Sequence, residues 1–328
     1  MQTGAPEFVL GIDVGGTFTK YGFVSHQGEC VGENSIPTHA DEPFSHFLAR
    51  LVQAVEETRR TLGYEIVLRG IGMGAPNANY YTGRIEKPAN LSWGDVDVVG
   101  LMGKHFKDIP IIITNDANAA AIGEMRFGAA QNMRDFVMIT LGTGLGSGLV
   151  SNGQLIYGHD GFAGELGHII VDPNGRMHIN GRRGALETYV SATGIKRTVF
   201  HLLAEYPDES ELRDLSFHEM TGEHITAAAK RGDKIALEAY EYTGRILGIK
   251  LADTVAYTSP EAIIFFGGPT KAGNLLLDPI KKHMEENLFP IYRNKVKLLI
   301  SALEGRNAAV LGASALVWQE LDRAAMSR

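Results

Sequence analysis

Asn115 and Asp116 stand between an apolar run, Ile109 to Thr114, and a small-residue stretch from Ala117 to Phe127. That pattern predicts a strand passing into a helix with a carboxylate at the junction. Alcohol hydroxyls are weak nucleophiles and need a carboxylate to accept their proton, so Asp116 is the candidate general base. The same position suits a helix N-cap, and one residue can serve both ends through different atoms. Downstream, Glu165, His168 and Glu187 add two carboxylates and an imidazole. These are directional donors and acceptors of the kind a polyhydroxylated ligand requires. Any one of them taken singly reads better as a solvated side chain.

Glycine turns form the second set. Asp13-Val14-Gly15-Gly16-Thr17 follows the apolar run Phe8 to Ile12. Glycines there let backbone N–H groups approach phosphate oxygens, and Thr17 adds a hydroxyl donor. Asp13, at a strand end, can hold Mg²⁺ directly or through water, since that ion prefers carboxylate, water and phosphate oxygen. A tight hairpin is the competing reading. Leu141-Gly142-Thr143-Gly144-Leu145-Gly146 is a second such turn. It is not a dinucleotide fingerprint, which opens a helix, because the residues after it alternate like a strand. Neither turn matches the G-x-x-x-x-G-K-[ST] phosphate loop. Phe265-Phe266-Gly267-Gly268-Pro269 is a third strand–glycine turn, suited to laying adenine and ribose against bare backbone.

The elements that must position these residues follow from periodicity. Phe8 to Val24 reads as a hairpin closed by a turn at Ser25 to Gly28. Pro43 to Leu62 has apolar residues at helical spacing, with Asp41 as the expected N-cap and Gly63 as the stop. Val67 to Met73 and Ile109 to Thr114 are further strands. The segment Phe136 to Gly153 repeats the order of Phe8 to Gln27: apolar strand, Gly/Thr-rich turn, second strand ending in Val-Ser, polar turn. This reads as an internal duplication, two αβ domains facing each other across a cleft and gripping one nucleotide from both sides. After Val190 the pattern is mostly helical, interrupted by the strand Ala262 to Phe266, and Asn307 to Leu321 is an apolar-faced helix. No low-complexity linker separates the halves, so the boundary is expected to be a hinge.

Composition sets limits on function. A chain of 328 residues exceeds what one core usually holds. Hydrophobic residues at 44% and charged residues at 21% are ordinary for a globular protein. A net charge of -7 argues against a nucleic-acid surface. The single cysteine, Cys30, excludes an internal disulfide and fits a reducing, cytoplasmic compartment. The N-terminus lacks a secretory pattern, and the apolar runs are too short to span a membrane.

Together these residues resemble the ROK-family sugar kinases of the glucokinase type, within the hexokinase/actin-like ATPase superfamily. The resemblance covers about Phe8 to Leu316 and is carried by five motifs in family order. They are Gly11 to Thr17, Asn115 to Ala121, Leu141 to Gly146, Gly164-Glu165-Leu166-Gly167-His168, and the Gly267-Gly268 turn. The resemblance implies an α/β fold of two actin-like/ribonuclease H-like ATPase domains, with mixed sheets flanking a cleft. Residues 1–115 with the C-terminal helix 307–328 would form the small domain and residues 116–306 the large one. It implies ATP and Mg²⁺ as cofactors and phosphorylation of a hexose, glucose foremost, at the 6-hydroxyl. Asp116 would take the proton, while Asn90, Asn115, Glu165, His168 and Glu187 would bind the sugar with it. Asp13, Gly15, Gly16 and Thr17 would handle phosphate and metal, and Gly142, Thr143, Gly144, Gly267 and Gly268 would line the nucleotide. A homodimer without nucleic-acid or membrane partners is also implied.

Two departures stand out. Many members hold a structural zinc with the His of the Gly-His motif and three cysteines, and here His178, Asn180 and Ala185 occupy the cysteine positions. A closed tetrahedral site is then not available, and no structural zinc is expected, although His168 and His178 could still bind one with low affinity. Asn77 stands where the family usually has Gly, near the sugar segment, which leaves N-acetylmannosamine, N-acetylglucosamine and fructose as alternative substrates. The family also includes sugar-sensing repressors with a helix-turn-helix ahead of the kinase-like body. A first glycine turn at Asp13 leaves no room for one. An actin-like ATPase with no sugar site is the third reading, opposed by the polar set around Asp116.

Overall fold

The computed structural model describes residues 5–88, 91–303 and 307–326. Its first stretch runs β1 (Glu7–Val14), β2 (Phe18–Ser25), β3 (Cys30–Pro37), α1 (Phe44–Thr61) and β4 (Val67–Gly74). The short strands β5 (Ala78–Asn79), β6 (Arg84–Ile85) and β7 (Val96–Asp97) follow, then α2 (Val98–Met102), β8 (Ile111–Thr114) and α3 (Asp116–Phe127). Next come β9 (Phe136–Leu141), β10 (Leu145–Ser151), β11 (Gln154–Leu155), α4 (Glu187–Val190), α5 (Ala192–Glu205), α6 (Gly222–Lys230) and α7 (Lys234–Thr258). The chain closes with β12 (Ala262–Phe266), α8 (Asn274–Asn287), β13 (Lys297–Ile300) and α9 (Ala308–Met326).

Two compact units result. The first combines Met1–Met133, Leu155–Ala163 and Ala302–Arg328. Its main sheet has the order β3-β2-β1-β4-β8, with β1, β4 and β8 parallel and the β1–β2–β3 meander antiparallel. β1 is buried along nearly its whole length, as a strand covered on both faces must be. α9 packs on this sheet at unusually short range. A Cβ on Gly72 would stand 1.8 Å from the carbonyl oxygen of Ala313, and one on Gly312 would stand 2.4 Å from that of Ala119. Bare backbone at these crossings lets α9 lock β4 and α3 together.

The second unit combines Arg134–Gln154 with Gly164–Ser301. Its sheet order is β11-β10-β9-β12-β13, again an antiparallel hairpin (β9, β10) continued by parallel strands (β12, β13). Position for position this is the order of the first sheet, so the repeated sequence pattern is a repeated topology. Its core is formed by β9 and β12 with α5, α7 and α8, through residues such as Ile139, Phe265, Val199, Leu247 and Ile280.

Two expectations are corrected. The boundary does not fall at 115/116: α3 lies in the first unit, because it packs on α9 and not on the second sheet. α1 begins at Phe44 with Pro43 as its N-cap and no side-chain cap, leaving Asp41 two residues outside. Gly63, with φ +75°, stands just past the helix end as expected.

Candidate active site

In the first unit, register brings the acidic residues to one end of the sheet. Asp13 pairs with Gly74 across β1 and β4, and Gly74 pairs with Thr114 across β4 and β8. Asp13 and the Thr114–Asp116 corner therefore share the carboxyl ends of three adjacent parallel strands, where open α/β sheets bind ligands. A Cβ on Gly74 would lie 3.7 Å from the Cα of Asp116, close to the corner.

Asn115, in extended conformation, is the N-cap of α3, and its Oδ1 accepts from the Asn118 amide at 2.7 Å. Asp116 is the first helical residue, and its Oδ1 accepts from the Ala117 amide at 2.9 Å. Capping thus falls to Asn115, and Asp116 stays available for chemistry. Asp116 is solvent-exposed, yet many protein atoms surround its carboxyl. Desolvation lifts its carboxyl above the ordinary range, and the backbone hydrogen bonds offset this only in part. Asp13 is raised to about 6, first by desolvation, then by the negative charge of Asp116, with Lys20 acting the other way. Two hard oxygen donors in a negative pocket fit a Mg²⁺ ion, and Asp13 is the residue that fits its first position. The turn after Asp13 is held from behind: the Thr38 hydroxyl donates to the Gly15 carbonyl at 2.7 Å and the Thr38 amide to the Thr17 carbonyl at 2.9 Å. Gly16 and Thr17 remain exposed.

In the second unit, the glycine turns also lie at carboxyl ends of parallel strands, since Thr140 of β9 pairs with Phe266 of β12. The glycines divide by reason. Gly267 has φ +112°, and a Cβ there would stand 2.0 Å from the Leu141 carbonyl oxygen, so the fold demands it. Gly142 and Gly268 have negative φ and nothing within 4 Å of where a Cβ would sit. The protein's own packing does not require glycine at either, and open space over bare backbone is what a closely approaching ligand needs. Gly268 borders a pocket of about 350 Å³, lined also by Ala192, Ile195, Thr226, Lys230 and Lys271. Its size is that of a small-molecule site, with mostly apolar walls, two lysines and the carboxylate of Glu223. The sequence reading missed these residues, which come from α5, α6 and the turn after β12 and share no local motif.

Glu165, His168 and Glu187 come together in the same unit. Nδ1 of His168 lies 3.9 Å from Oε2 of Glu165, and both side chains are exposed. Gly167 allows this turn to lie on β10, because a Cβ there would stand 2.3 Å from the Leu145 carbonyl oxygen. Oε2 of Glu187 accepts from the Leu145 amide at 3.0 Å, and Oε1 accepts from the buried His178. His168, His178 and Glu187 place metal-capable atoms within 4.8 Å of one another. Glu187 was not foreseen in such a cluster. The family's histidine–cysteine zinc set is not accommodated: Ala185 is buried and offers no donor, and the Asn180 Oδ1 accepts from the Arg182 amide at 3.0 Å.

Asn77 adopts φ +53°, the left-handed conformation usually left to glycine. Its Nδ2 donates to the carbonyls of Glu86 at 3.0 Å and Lys87 at 3.1 Å. The replacement keeps the backbone shape and turns its side chain onto the adjacent loop. Asn90 lies outside the described residues.

A glucokinase of Halalkalibacterium halodurans is 36% identical over 317 residues, covering 95% of each chain. The crystal structure of a ROK family glucokinase from Streptomyces griseus, in complex with glucose and AMPPNP, superposes with a TM-score of 0.80 at 31% identity. It covers 95% of this chain and 99% of that one. A ROK family transcriptional regulator, a homologue of the E. coli MLC protein, superposes with a TM-score of 0.86 at 27% identity over 95% of this chain and 78% of its own. The sequence profile of the ROK family matches residues 9–320, and the chain belongs to the ROK family.

Proposed function

We propose that this chain is an ATP-dependent hexose kinase that phosphorylates glucose at its 6-hydroxyl. The observation that carries the proposal is Asp116: a carboxylate at the carboxyl end of a parallel strand, relieved of capping by Asn115 and raised in pKa by desolvation. Glucokinases at 36% and 33% identity over nearly the whole chain support it, as does the relative bound to glucose and AMPPNP, an analogue of ATP.

In this reading the sugar is held by hydrogen bonds to Asn90, Asn115, Glu165, His168 and Glu187. Asn115 contributes its Nδ2, because its Oδ1 serves the helix. The sugar 6-oxygen attacks the γ-phosphorus, its proton passes to the Asp116 carboxylate, and the bond from the γ-phosphorus to the ADP oxygen breaks. Asp116, the stronger base for its raised pKa, fits an acceptor that takes a proton late. Gly15, Gly16 and Thr17 bind phosphate oxygens through backbone N–H groups and a hydroxyl, and Thr143 adds a second hydroxyl. Gly142, Gly144, Gly267 and Gly268 leave backbone bare for the nucleotide, whose base occupies the pocket beside Gly268 with Lys230 and Lys271 near the phosphates. Asp13 would hold Mg²⁺, which supplies charge neutralisation on the transferred phosphoryl group. A cytoplasmic homodimer completes the proposal. The Cys30 thiol is pushed up to about 11, first by burial and then by Glu33, which suits an inert thiol. Among the described residues no helix is long and apolar enough to cross a membrane.

A sugar-sensing regulator without turnover is the second reading, favoured by the TM-score of 0.86 to the regulator structure. ADP release with MgATP decides between them, measured with glucose, mannose, fructose, N-acetylglucosamine, N-acetylmannosamine and no sugar. Turnover with glucose above all others is expected. Preference for an N-acetylated sugar moves the substrate. Sugar binding without ADP release supports the regulator, and sugar-independent release overturns both.

A further inference from the structure

His178 has no part in the chemistry above, yet it is among the most constrained side chains of its unit. The ring is 8% exposed. The Asn180 amide donates to its Nδ1 at 3.2 Å. A nitrogen that accepts must carry a lone pair, so the ring proton sits on Nε2. That N–H donates to Oε1 of Glu187. The other carboxylate oxygen accepts from the Leu145 amide, and a Cβ on Gly144 would stand 2.6 Å from it. Glu187 is therefore fixed from two sides, by the glycine turn through Oε2 and by His178 through Oε1.

We propose that the His178–Glu187 hydrogen bond is a metal-free latch that replaces the family's zinc, and that His178 is a positioning residue aiming Glu187 at the sugar. The second half rests on the sugar-kinase reading. His168, His178 and Glu187 would in composition make a three-ligand zinc site, two histidines and a carboxylate. The hydrogen bonding competes with it: Nδ1 of His178 accepts from the Asn180 amide, so a metal at Nε2 would have to displace the proton shared with Glu187 and break the latch. The loop is also closed by other means. Met177 and Arg183 pair across it, and the His178 amide donates to the Arg182 carbonyl at 2.8 Å. Arg176 lies 4.6 Å over the Tyr189 ring and donates to the carbonyls of Thr188 and Gly194 at 3.0 Å each.

Zinc content and thermal melting of the purified chain, before and after treatment with 1,10-phenanthroline, test the latch without any activity measurement. Substoichiometric zinc and an unchanged Tm are expected. One zinc per chain, with melting lowered by the chelator, overturns the latch. Positioning is tested with His178→Ala and His178→Gln, since Gln can place an amide N–H where Nε2–H stood. His178→Ala is expected to raise the glucose KM roughly tenfold or more while kcat changes less than about threefold, as loss of a group acting through another should. His178→Gln is expected to recover most of that KM. A KM unchanged in His178→Ala, or His178→Gln no better than His178→Ala, overturns the positioning role. A wild-type chain with no sugar-dependent ADP release fails the kinase reading instead, and the zinc and melting results then judge the latch alone.

Discussion

Asn115 caps the helix on whose first residue Asp116 sits, so the cap does not draw on the Asp116 carboxylate. Oδ1 of Asn115 meets the Asn118 amide at 2.7 Å, and the Asp116 carboxylate is left beside the helix N-terminus with its second oxygen uncommitted to the cap. Asp116→Asn should lower kcat by roughly 10²–10⁴, the range for loss of a general base. The glucose dissociation constant, measured by calorimetry, should change little. Near-normal turnover would remove Asp116 as the base.

The two duties of Asn115 can be separated. Asn115→Asp retains an oxygen to cap α3 but loses the Nδ2 donor and adds a charge beside Asp116. Asn115→Ala loses both. Thermal unfolding should show Asn115→Ala destabilised by about 1 kcal/mol and Asn115→Asp close to wild type. Both should raise the glucose KM. A stable Asn115→Ala would show that the cap matters less than its geometry indicates.

Acid–base behaviour follows from Asp13. Its carboxyl titrates at about 6 in the folded chain against an ordinary value of 3.8, raised by burial first and by Asp116 second. Between these values the native state holds a proton that the unfolded chain has released. The stability of the nucleotide-free protein should therefore fall as pH rises from roughly 4 to 6, and stay lower above that window. Asp13→Asn should stabilise the apo chain by up to about 3 kcal/mol at pH 7.5, with the gain shrinking as pH falls from about 6 and gone below about 4. Urea titrations at both pH values measure this, and a destabilised Asp13→Asn at pH 7.5 would contradict it. Because Asp116 is also raised, kcat should drop on the acid side at a pH above the ordinary carboxylate range.

Asn77 should matter for stability and not for sugar choice. Its side chain donates to the Glu86 and Lys87 carbonyls, while its backbone already has the left-handed shape. Asn77→Gly should cost about 1–2 kcal/mol, from lost hydrogen bonds and a more flexible unfolded chain, and leave the ranking of sugars unchanged. A switch toward an N-acetylated sugar in Asn77→Gly would show that the residue reads the substrate.

Glycines on either side of one peptide bond should fail differently. Gly268→Ala has room for its methyl group and negative φ, so it should fold with nearly unchanged Tm and raise the KM for ATP. Gly267→Ala must place a Cβ against the Leu141 carbonyl at positive φ, so it should lose stability by roughly 2 kcal/mol or more. An ATP KM unaffected by Gly268→Ala would take the nucleotide away from this turn.

What the sequence by itself determined was local and periodic. The strand–turn–strand pattern at Phe8 and again at Phe136 foretold a repeated unit opening each half, because alternation and glycine turns are written into consecutive residues; the structure adds that the two sheets share one order. Asp116 could be singled out at a strand-to-helix corner for the same reason. Tertiary structure decided what depends on residues distant in the chain. Gly312 lets α9 meet α3, and this moved the unit boundary past the Asn115–Asp116 corner. Leu145 and His178 converge on Glu187 from 42 and 9 residues away. The pocket beside Gly268 draws its lysines from α6 and from the turn after β12. A hydrogen bond or a close backbone approach between separated segments leaves no period in either one, so only the folded chain could show which histidine holds Glu187.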